Sequence, residues 1–217
     1  MGKLLLGLFA GTIVYLCYQS GCAWTRGTPR ITRIETRALD ASADPAQVPL
    51  SGETTIPLSV PDANLQAQPV ATYRVAARVL STRTYYMEWQ RHISPVDVAL
   101  GWGKLATPSH DSGLRFDHGE RFYHFYIDPG ASLNSSEVYL LSSNHHLVPA
   151  NRNIDRAIRR LSVGDLVELE GWLVNISGTR RHQEFQWNTS LRRDDQGGGA
   201  CEILYVKHVR VGNQVYE

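Results

Sequence analysis

The sequence predicts a mainly β protein, namely a small OB-like barrel with one short helix between its third and fourth strands. An N-terminal membrane helix and a proline-rich tether precede the barrel. Three observations predict this: the chain begins with an apolar segment, a stretch without lysine or arginine follows, and apolar residues alternate with polar ones beyond Tyr73. We therefore expect a transmembrane anchor or signal segment over residues 1–25, an extended linker over 26–72 and an OB-like β domain over 73–217.

The first segment, MGKLLLGLFAGTIVYLCYQSGCAW, has no charged residue between Lys3 and Arg26. An apolar run of about 20 residues can span a bilayer, whereas a cleaved signal peptide has a charged start and a shorter run. Aromatic residues such as Trp24 favour the uncleaved anchor, and the small residues of QSGCA favour cleavage. The short charged start is typical of export, while the arginines that follow favour the opposite orientation. We expect a single-pass inner-membrane protein with a periplasmic domain.

The expected linker has no lysine or arginine from Ala38 to Thr72 and is rich in proline, alanine, serine and glutamine. Such a composition buries too little apolar surface to fold alone, so it predicts an extended tether that holds the domain away from the membrane. Within it, TTIPLSV could add a strand at the edge of the domain, where proline is tolerated.

The domain begins with YRVAARVLS, in which apolar residues from Tyr73 to Val79 alternate with polar ones. A period of two predicts a strand with one buried face. RFYHFYI over residues 121–127 and EVYLL over residues 137–141 predict the second and third strands. Between the first two, SPVDVAL predicts a short helix that Ser94 caps, with Pro95 at its first position.

A helix follows in NRNIDRAIRRLSVGD, because Ile154, Ala157, Ile158 and Leu161 recur at helical spacing. Asparagine can cap its start, and Gly164 can end it. DLVELEGWLV and CEILYVKHVRV then predict the last two strands. Two long connections, over residues 85–120 and 177–200, depart from a minimal barrel and are candidates for a functional contact.

Composition excludes some classes of function. The net charge of +1 and the lack of a basic stripe argue against a nucleic-acid partner. The sequence has no HExxH, CxxC or Walker motif, so we expect neither a metal site nor a bound cofactor. The states of Cys22 and Cys201, as a disulfide or as free thiols, stay open.

The stretch SSNHHLVPAN, residues 142–151, holds the first candidate site. Imidazole titrates near neutrality, so His146 could act as a general base with Asp97 or Asp195. Adjacent histidines on a strand point to opposite faces, so His145 and His146 cannot easily share one metal ion. The alternative is structural: Asn144 and His146 form hydrogen bonds that hold the segment in place.

Two further segments are candidates for binding. SLRRDDQGGGACE places Arg193 and Asp195 before three glycines, and such a loop can bind an anion or a sugar, or simply form a hairpin with internal ion pairs. Cys201 could be a nucleophile or a buried apolar residue. Trp102, between two glycines in GWGK, could stack on a ligand or plug the end of the barrel.

The blocks SPVDVALGWG, NHHLVPAN and SLRRDDQGGGACEILYV together resemble a family of uncharacterised, membrane-anchored bacterial proteins. The resemblance covers most of residues 73–211 and implies an anchored envelope protein without implying a chemistry. In that family the second block has asparagine, an apolar residue and then histidine. The resemblance therefore makes His146, and not His145, the counterpart of the family histidine.

These observations favour a membrane-tethered, non-enzymatic binding or assembly module of the bacterial envelope with a protein partner. Asn144, His146, Trp102, Arg193 and Asp195 are its candidate binding residues, and we assign no catalytic residue and no metal ligand. The alternative is a hydrolase-like enzyme in which His146 acts with an aspartate.

Overall fold

The computed structural model describes residues 27–52, 54–107, 113–192, 195, 197 and 199–217. The expected membrane segment over residues 1–25 lies outside the described residues. Within them, no helix has both the length and the apolar character that a bilayer-spanning helix needs.

The protein is mainly β, as the sequence predicts, and the described part of the chain contains twelve strands and two α-helices. The strands are β1 (Arg33–Ile34), β2 (Ala46–Pro49), β3 (Ile56–Leu58), β4 (Ala63–Thr84), β5 (Val96–Gly101), β6 (Leu114–Gly119), β7 (Phe122–Ile127), β8 (Ser142–Pro149), β9 (Leu166–Arg180), β10 (Gln183–Trp187), β11 (Glu202–Val211) and β12 (Gln214–Tyr216). The helices are α1 (Ser135–Leu141) and α2 (Arg152–Ile158), and two 3-10 turns cover Trp89–His92 and Gly103–Ala106.

Ten of these strands form one sheet. Eight of them follow the order β1-β12-β11-β8-β5-β4-β9-β10, and the other two, β2 and β3, each pair with β4 outside this order. As a whole the sheet is not a closed barrel, because β1 and β10 form its two ends. However, β11 pairs with β9 as well as with β8, so β4, β5, β8, β11 and β9 each pair with two of the others. The β8–β11 pair is parallel and the other four are antiparallel.

The main core lies on the inner face of these five strands. Alternate residues of β4 and β5, such as Val75 and Val98, meet Leu169 of β9 and Leu204 of β11 there. Helix α2 buries Ile154 and Ile158 against the same cluster, as its helical spacing predicts. Asn151 caps this helix by accepting hydrogen bonds from two backbone amides.

The structure differs from the expected linker, because much of residues 26–72 belongs to the sheet. Strand β4 begins at Ala63 and not at Tyr73, and Leu65, Ala67 and Ala71 are buried with the period of a strand. Pro69 interrupts that pattern and lies where the register with β9 shifts, a bulge at which proline is tolerated. The TTIPLSV stretch forms β3, as predicted for an edge strand.

Two predicted elements have the wrong secondary structure. EVYLL is helical in α1 because Asn134 and Glu137 form a reciprocal capping box at its start, which outweighs the strand propensity of a short segment. SPVDVAL is strand β5, because Val96, Val98 and Leu100 alternate into the core. The second and third strands of the five-strand circuit are therefore β5 and β8.

Candidate functional site

The candidate site lies on the outer face of β5 and β8. These strands pair so that Asp97 is opposite His146 and Ala99 is opposite Asn144. Since Val96 and Val98 point into the core, residues 97 and 99 and their partners point outward. The neighbouring segments cover this face, so Asp97 has no exposed surface and His146 is 3% exposed.

The Asp97 carboxylate is the centre of a buried polar cluster. Its Oδ1 accepts a hydrogen bond from Ser94 Oγ at 3.1 Å and one from Arg121 Nη1 at 3.2 Å. His146 Nδ1 lies 2.9 Å from the same oxygen, in a contact that is close but not aligned as a hydrogen bond. A buried carboxylate needs such compensation, because its desolvation is costly.

Arg121 reaches this cluster from the tip of the β6–β7 hairpin. Glu120 and Arg121 have φ angles of 50° and 67°, as the two central residues of a type I′ hairpin turn require. The Arg121 guanidinium stacks on the Tyr85 ring with its carbon 4.0 Å from the ring centre, and it also pairs with Glu88 at 2.9 Å. The arginine thereby fastens the hairpin tip over β5.

Several buried atoms of the cluster retain hydrogen-bonding capacity. Among the described residues, neither Asp97 Oδ2 nor Arg121 Nη2 has a partner, and the Tyr85 hydroxyl lies beside Asp97 without a well-aligned bond. Burial and the Asp97 charge raise the pKa of Tyr85, so its hydroxyl stays protonated. Buried polar groups are normally satisfied, so these atoms can bind a water molecule or a polar group of a ligand.

Asn144 belongs to a second chain of hydrogen bonds on the same face. Its Nδ2 donates to the carbonyl of Arg121 at 2.9 Å, so its Oδ1 accepts from His118 Nε2 at 2.9 Å. The other imidazole nitrogen of His118 then accepts from Ser81 Oγ, 2.7 Å away. Burial lowers the pKa of His118, which agrees with a neutral ring. Asn144 therefore holds the β6–β7 hairpin on β8.

A pocket of about 430 Å³ opens beside the Asp97 cluster. It lies between the 3-10 turn after β4, the β6–β7 tip and strand β10, and its walls are aromatic and charged. Its lining includes Glu88, Glu120, Arg121, Phe122, His146, Phe185 and Trp187. The Trp187 ring lies against His146 with the ring centres 4.6 Å apart, and both rings line the pocket together with Arg121.

Asp195 lies at a different place from His146. It lines a separate cavity of about 220 Å³ that also contains Asn144 and Cys201. Ser190 Oγ donates to the Asp195 carboxylate at 2.5 Å, so this carboxylate is held within its own loop. Burial raises the pKa of the Cys201 thiol to about 11, which disfavours the nucleophilic thiolate. Arg193 lies outside the described residues.

The remaining two candidates are inside the fold. Trp102 is 1% exposed and packs in the main core, so its ring is not available to a ligand in solvent. His145 points inward from β8, where its Nδ1 donates to the Ser143 carbonyl and its Nε2 accepts from Tyr73 Oη at 2.8 Å. The two histidines thus face opposite sides of the strand, as the alternation of a strand predicts.

The structure brings His146 and Asp97 together. This is one of the two pairings, with Asp97 or with Asp195, that a general base at His146 would need. Among the described residues that line the pocket, none has a hydroxyl or thiol that could attack a substrate, so His146 has no nucleophile to activate there. Metal ligands do not gather here either: in the described chain, the group that could hold an ion lies on β9 and β11.

Sequence reasoning missed Arg121, Tyr85 and Trp187. Arg121 was assigned to the start of a strand, and no local pattern shows that it would fold over a buried aspartate. The contact depends on the two-residue turn after β6, and its central residues, Glu120 and Arg121, are neither the glycine nor the asparagine that usually marks such a turn. The predicted helix over SPVDVAL also hid the outward position of Asp97.

Comparisons with protein-family models, curated proteins and solved structures found no match to this chain.

Proposed function

We propose that this chain is a membrane-tethered binding or assembly module of the bacterial envelope, that it has no catalytic activity, and that its partner is a protein. The pocket between the β6–β7 tip and strand β10 carries this proposal. It lies where the two long connections, over residues 85–120 and 177–200, come together. The buried polar residues beneath the pocket, Asp97 and Asn144, bind Arg121 and so hold the β6–β7 tip in place.

The finer fold assignment, an OB-like barrel, belongs to the same proposal. Its support is the circuit of pairings among β4, β5, β8, β11 and β9, with one parallel pair. A further support is the place of α2 between the third and fourth of these strands. In this arrangement the β6–β7 hairpin and α1 are insertions between the second and third strands of the barrel.

The pocket wall suits a partner side chain better than a reaction. Phe122 is 41% exposed, and Phe185 and Trp187 continue the aromatic surface. Glu120 and the ion pair between Glu88 and Arg121 add charged groups beside this surface. Interfaces place aromatic anchors beside polar rims in this way, and a few such residues contribute most of the binding energy.

The second candidate function is a hydrolase-like enzyme in which His146 and Asp97 activate water. The 2.9 Å contact between these residues favours it. Against it, Asp97 is already paired with Arg121, and the Trp187 ring packs against His146 in the pocket wall. Substitution of His146 by Gln would separate the two functions, because it abolishes a general base but leaves the pocket wall in place.

The proposed membrane anchor rests on the sequence of residues 1–25, and fractionation tests it. The full chain should sediment with membranes and resist alkaline extraction, whereas a chain without residues 1–25 should be soluble. Release of the uncleaved full chain into the soluble fraction would contradict the proposed anchor.

The binding surface is tested with two matched variants of the full chain, extracted in detergent from membranes of its source cells. Phe122 and Tyr126 both lie on β7 and are both exposed, but only Phe122 lines the pocket. We expect Phe122→Ala to reduce co-purification of a specific partner at least about tenfold, as the loss of a central aromatic anchor does, and Tyr126→Ala to leave it unchanged. Equal recovery with both variants would contradict the assignment of the pocket.

A further inference from the structure

We propose that the outer face of β9 and β11 binds a divalent transition-metal ion, with Glu168, Glu170 and His208 as ligands. Each of these side chains offers one ligand atom, and these atoms lie within 4.8 Å of one another. The site is separate from the pocket beside Trp187, and the proposal does not depend on the function given above.

The register of the sheet places the three side chains on one face. Glu168 and Glu170 are two residues apart on β9, so they point to the same side, and His208 of β11 is directly opposite Glu170. A cross-strand pair with this spacing brings side chains into contact. No sequence motif marks such a set, because its members come from two strands far apart in the chain.

A β-bulge directs His208 onto this face. Leu204 and Val206 point into the core, but after the register shift between Val206 and His208 the next core residue is Val209. Without the extra residue, Lys207, the alternation would turn position 208 inward. Bulges commonly re-aim a side chain next to a functional site.

His208 provides an independent indication of a ligand. The residue is 9% exposed, and its Nε2 is buried and has no hydrogen-bond partner among the described residues. Its Nδ1 is 3.4 Å from an oxygen of Glu217, which is half exposed. A buried imidazole nitrogen that lacks a partner is unusual, and a metal ion would satisfy it. Glu217 lies on the Nδ1 side of the ring, where its carboxylate can orient the imidazole while Nε2 binds the ion.

Arg74 of β4 now holds the two carboxylates together. It donates to Glu168 at 2.6 Å and to Glu170 at 2.9 Å, so a positive charge already lies between them. The Arg74 side chain is 48% exposed and can turn into solvent, whereas the Glu168 side chain is 8% exposed and would then need another cation beside it. A divalent ion would therefore compete with Arg74 for the same carboxylates.

The ligand set selects the class of ion. One imidazole nitrogen and two carboxylate oxygens suit Zn²⁺ and similar transition ions, whereas Mg²⁺ and Ca²⁺ prefer oxygen ligands alone. Tetrahedral coordination with bonds of about 2 Å places ligand atoms about 3.4 Å apart, so side chains whose ligand atoms lie within 4.8 Å of one another need to close by up to about 1.4 Å. Rotation of the half-exposed Glu170 side chain can supply this movement.

The test is a calorimetric titration of the full chain, in detergent, without a histidine tag and after dialysis against a chelator. Zn²⁺ is the probe, and Mg²⁺ is the comparison ion. We expect about one Zn²⁺ per chain and no comparable binding of Mg²⁺. His208→Ala and Glu170→Gln should each weaken Zn²⁺ binding at least about tenfold, because each removes one ligand. His124→Ala, which removes a histidine from the β6–β7 hairpin, should not change it.

Arg74→Gln gives the sharpest result, because a metal site and a simple salt-bridge network respond in opposite ways. If the arginine competes with the ion, this substitution should tighten Zn²⁺ binding about tenfold or more, and added Zn²⁺ should restore the melting temperature that the variant loses. Absence of saturable Zn²⁺ binding in the folded wild-type chain would overturn the proposal. So would binding that neither His208→Ala nor Glu170→Gln weakens.

Discussion

Asp97 shows how one buried charge can organise a surface. Its carboxylate is fully enclosed, yet it contacts Ser94, Arg121 and His146. Pairing of His146 with Asp97 was one of the alternatives available from the sequence, since both residue types suit proton transfer. Arg121 could not be predicted, because its role depends on the conformation of a turn. The arginine favours a structural role for the pair, since it supplies the buried carboxylate with a cationic partner.

Asp97→Asn tests the importance of this charge. The substitution keeps the shape but leaves the guanidinium of Arg121, whose side chain is 12% exposed, without its buried counterion. We expect a loss of about 3 kcal/mol in the free energy of unfolding, measured by urea denaturation. The control is Asp62→Asn, which removes an exposed partner of Arg181 and should cost less than about 1 kcal/mol. Similar losses for both variants would show that Asp97 is not a central contact.

Cys201 gives a prediction for pH dependence. Burial raises its pKa to about 11, and only the thiolate reacts with iodoacetamide. In a chain whose other cysteines, Cys17 and Cys22, are replaced by serine, alkylation at pH 8 should be about a hundredfold slower than for a thiol of ordinary pKa. The rate should rise about tenfold per pH unit up to the pKa. Rapid alkylation at pH 8 would place the thiolate in an activating environment and revive the nucleophilic alternative.

At the scale of elements, long segments with a clear period were predictable and short ones were not. The patterns around Tyr73, Ile154 and Leu169 identified β4, α2 and β9, because in each of these segments several apolar residues recur at the spacing that places them on one buried face. Segment 137–141 has high strand propensity, but its structure depends on a cap that begins at Asn134. Strand β5 was misassigned because Ser94 and Pro95 imitate the start of a helix, although the alternation that follows them is that of a strand.

The bulge between β9 and β11 depends on Gly171. A Cβ atom at this position would lie 1.9 Å from the Tyr205 carbonyl oxygen, so alanine would push the two strands apart. We expect Gly171→Ala to destabilise the fold by about 3 kcal/mol or more, in a thermal or urea unfolding experiment. Gly52→Ala is the matched control, since a Cβ there meets no atom within 4 Å, and it should change stability by less than about 0.5 kcal/mol. Equal stabilities would show that the strands are not so closely packed.

At the scale of the whole molecule, the strands position two hairpins that converge on one pocket. The β6–β7 hairpin is fastened by Arg121 and Asn144, and strand β10 brings Trp187 against His146. The sequence indicated that both long connections were candidates for function, but not that they meet. It also placed the domain boundary too late, because the small residues Ala67 and Ala71 and the interruption at Pro69 conceal the first part of β4.

The most direct test of this account is site-specific photocrosslinking of the full chain in its source cells. A photoreactive amino acid at Gln186, exposed at the pocket, should form a discrete adduct with one envelope protein, and Phe122→Ala in the same chain should abolish it. The same amino acid at Val163, which is 65% exposed between α2 and β9, should form no such adduct. Absence of an adduct at Gln186, or the same adduct at both positions, would contradict a binding surface formed by the two hairpins.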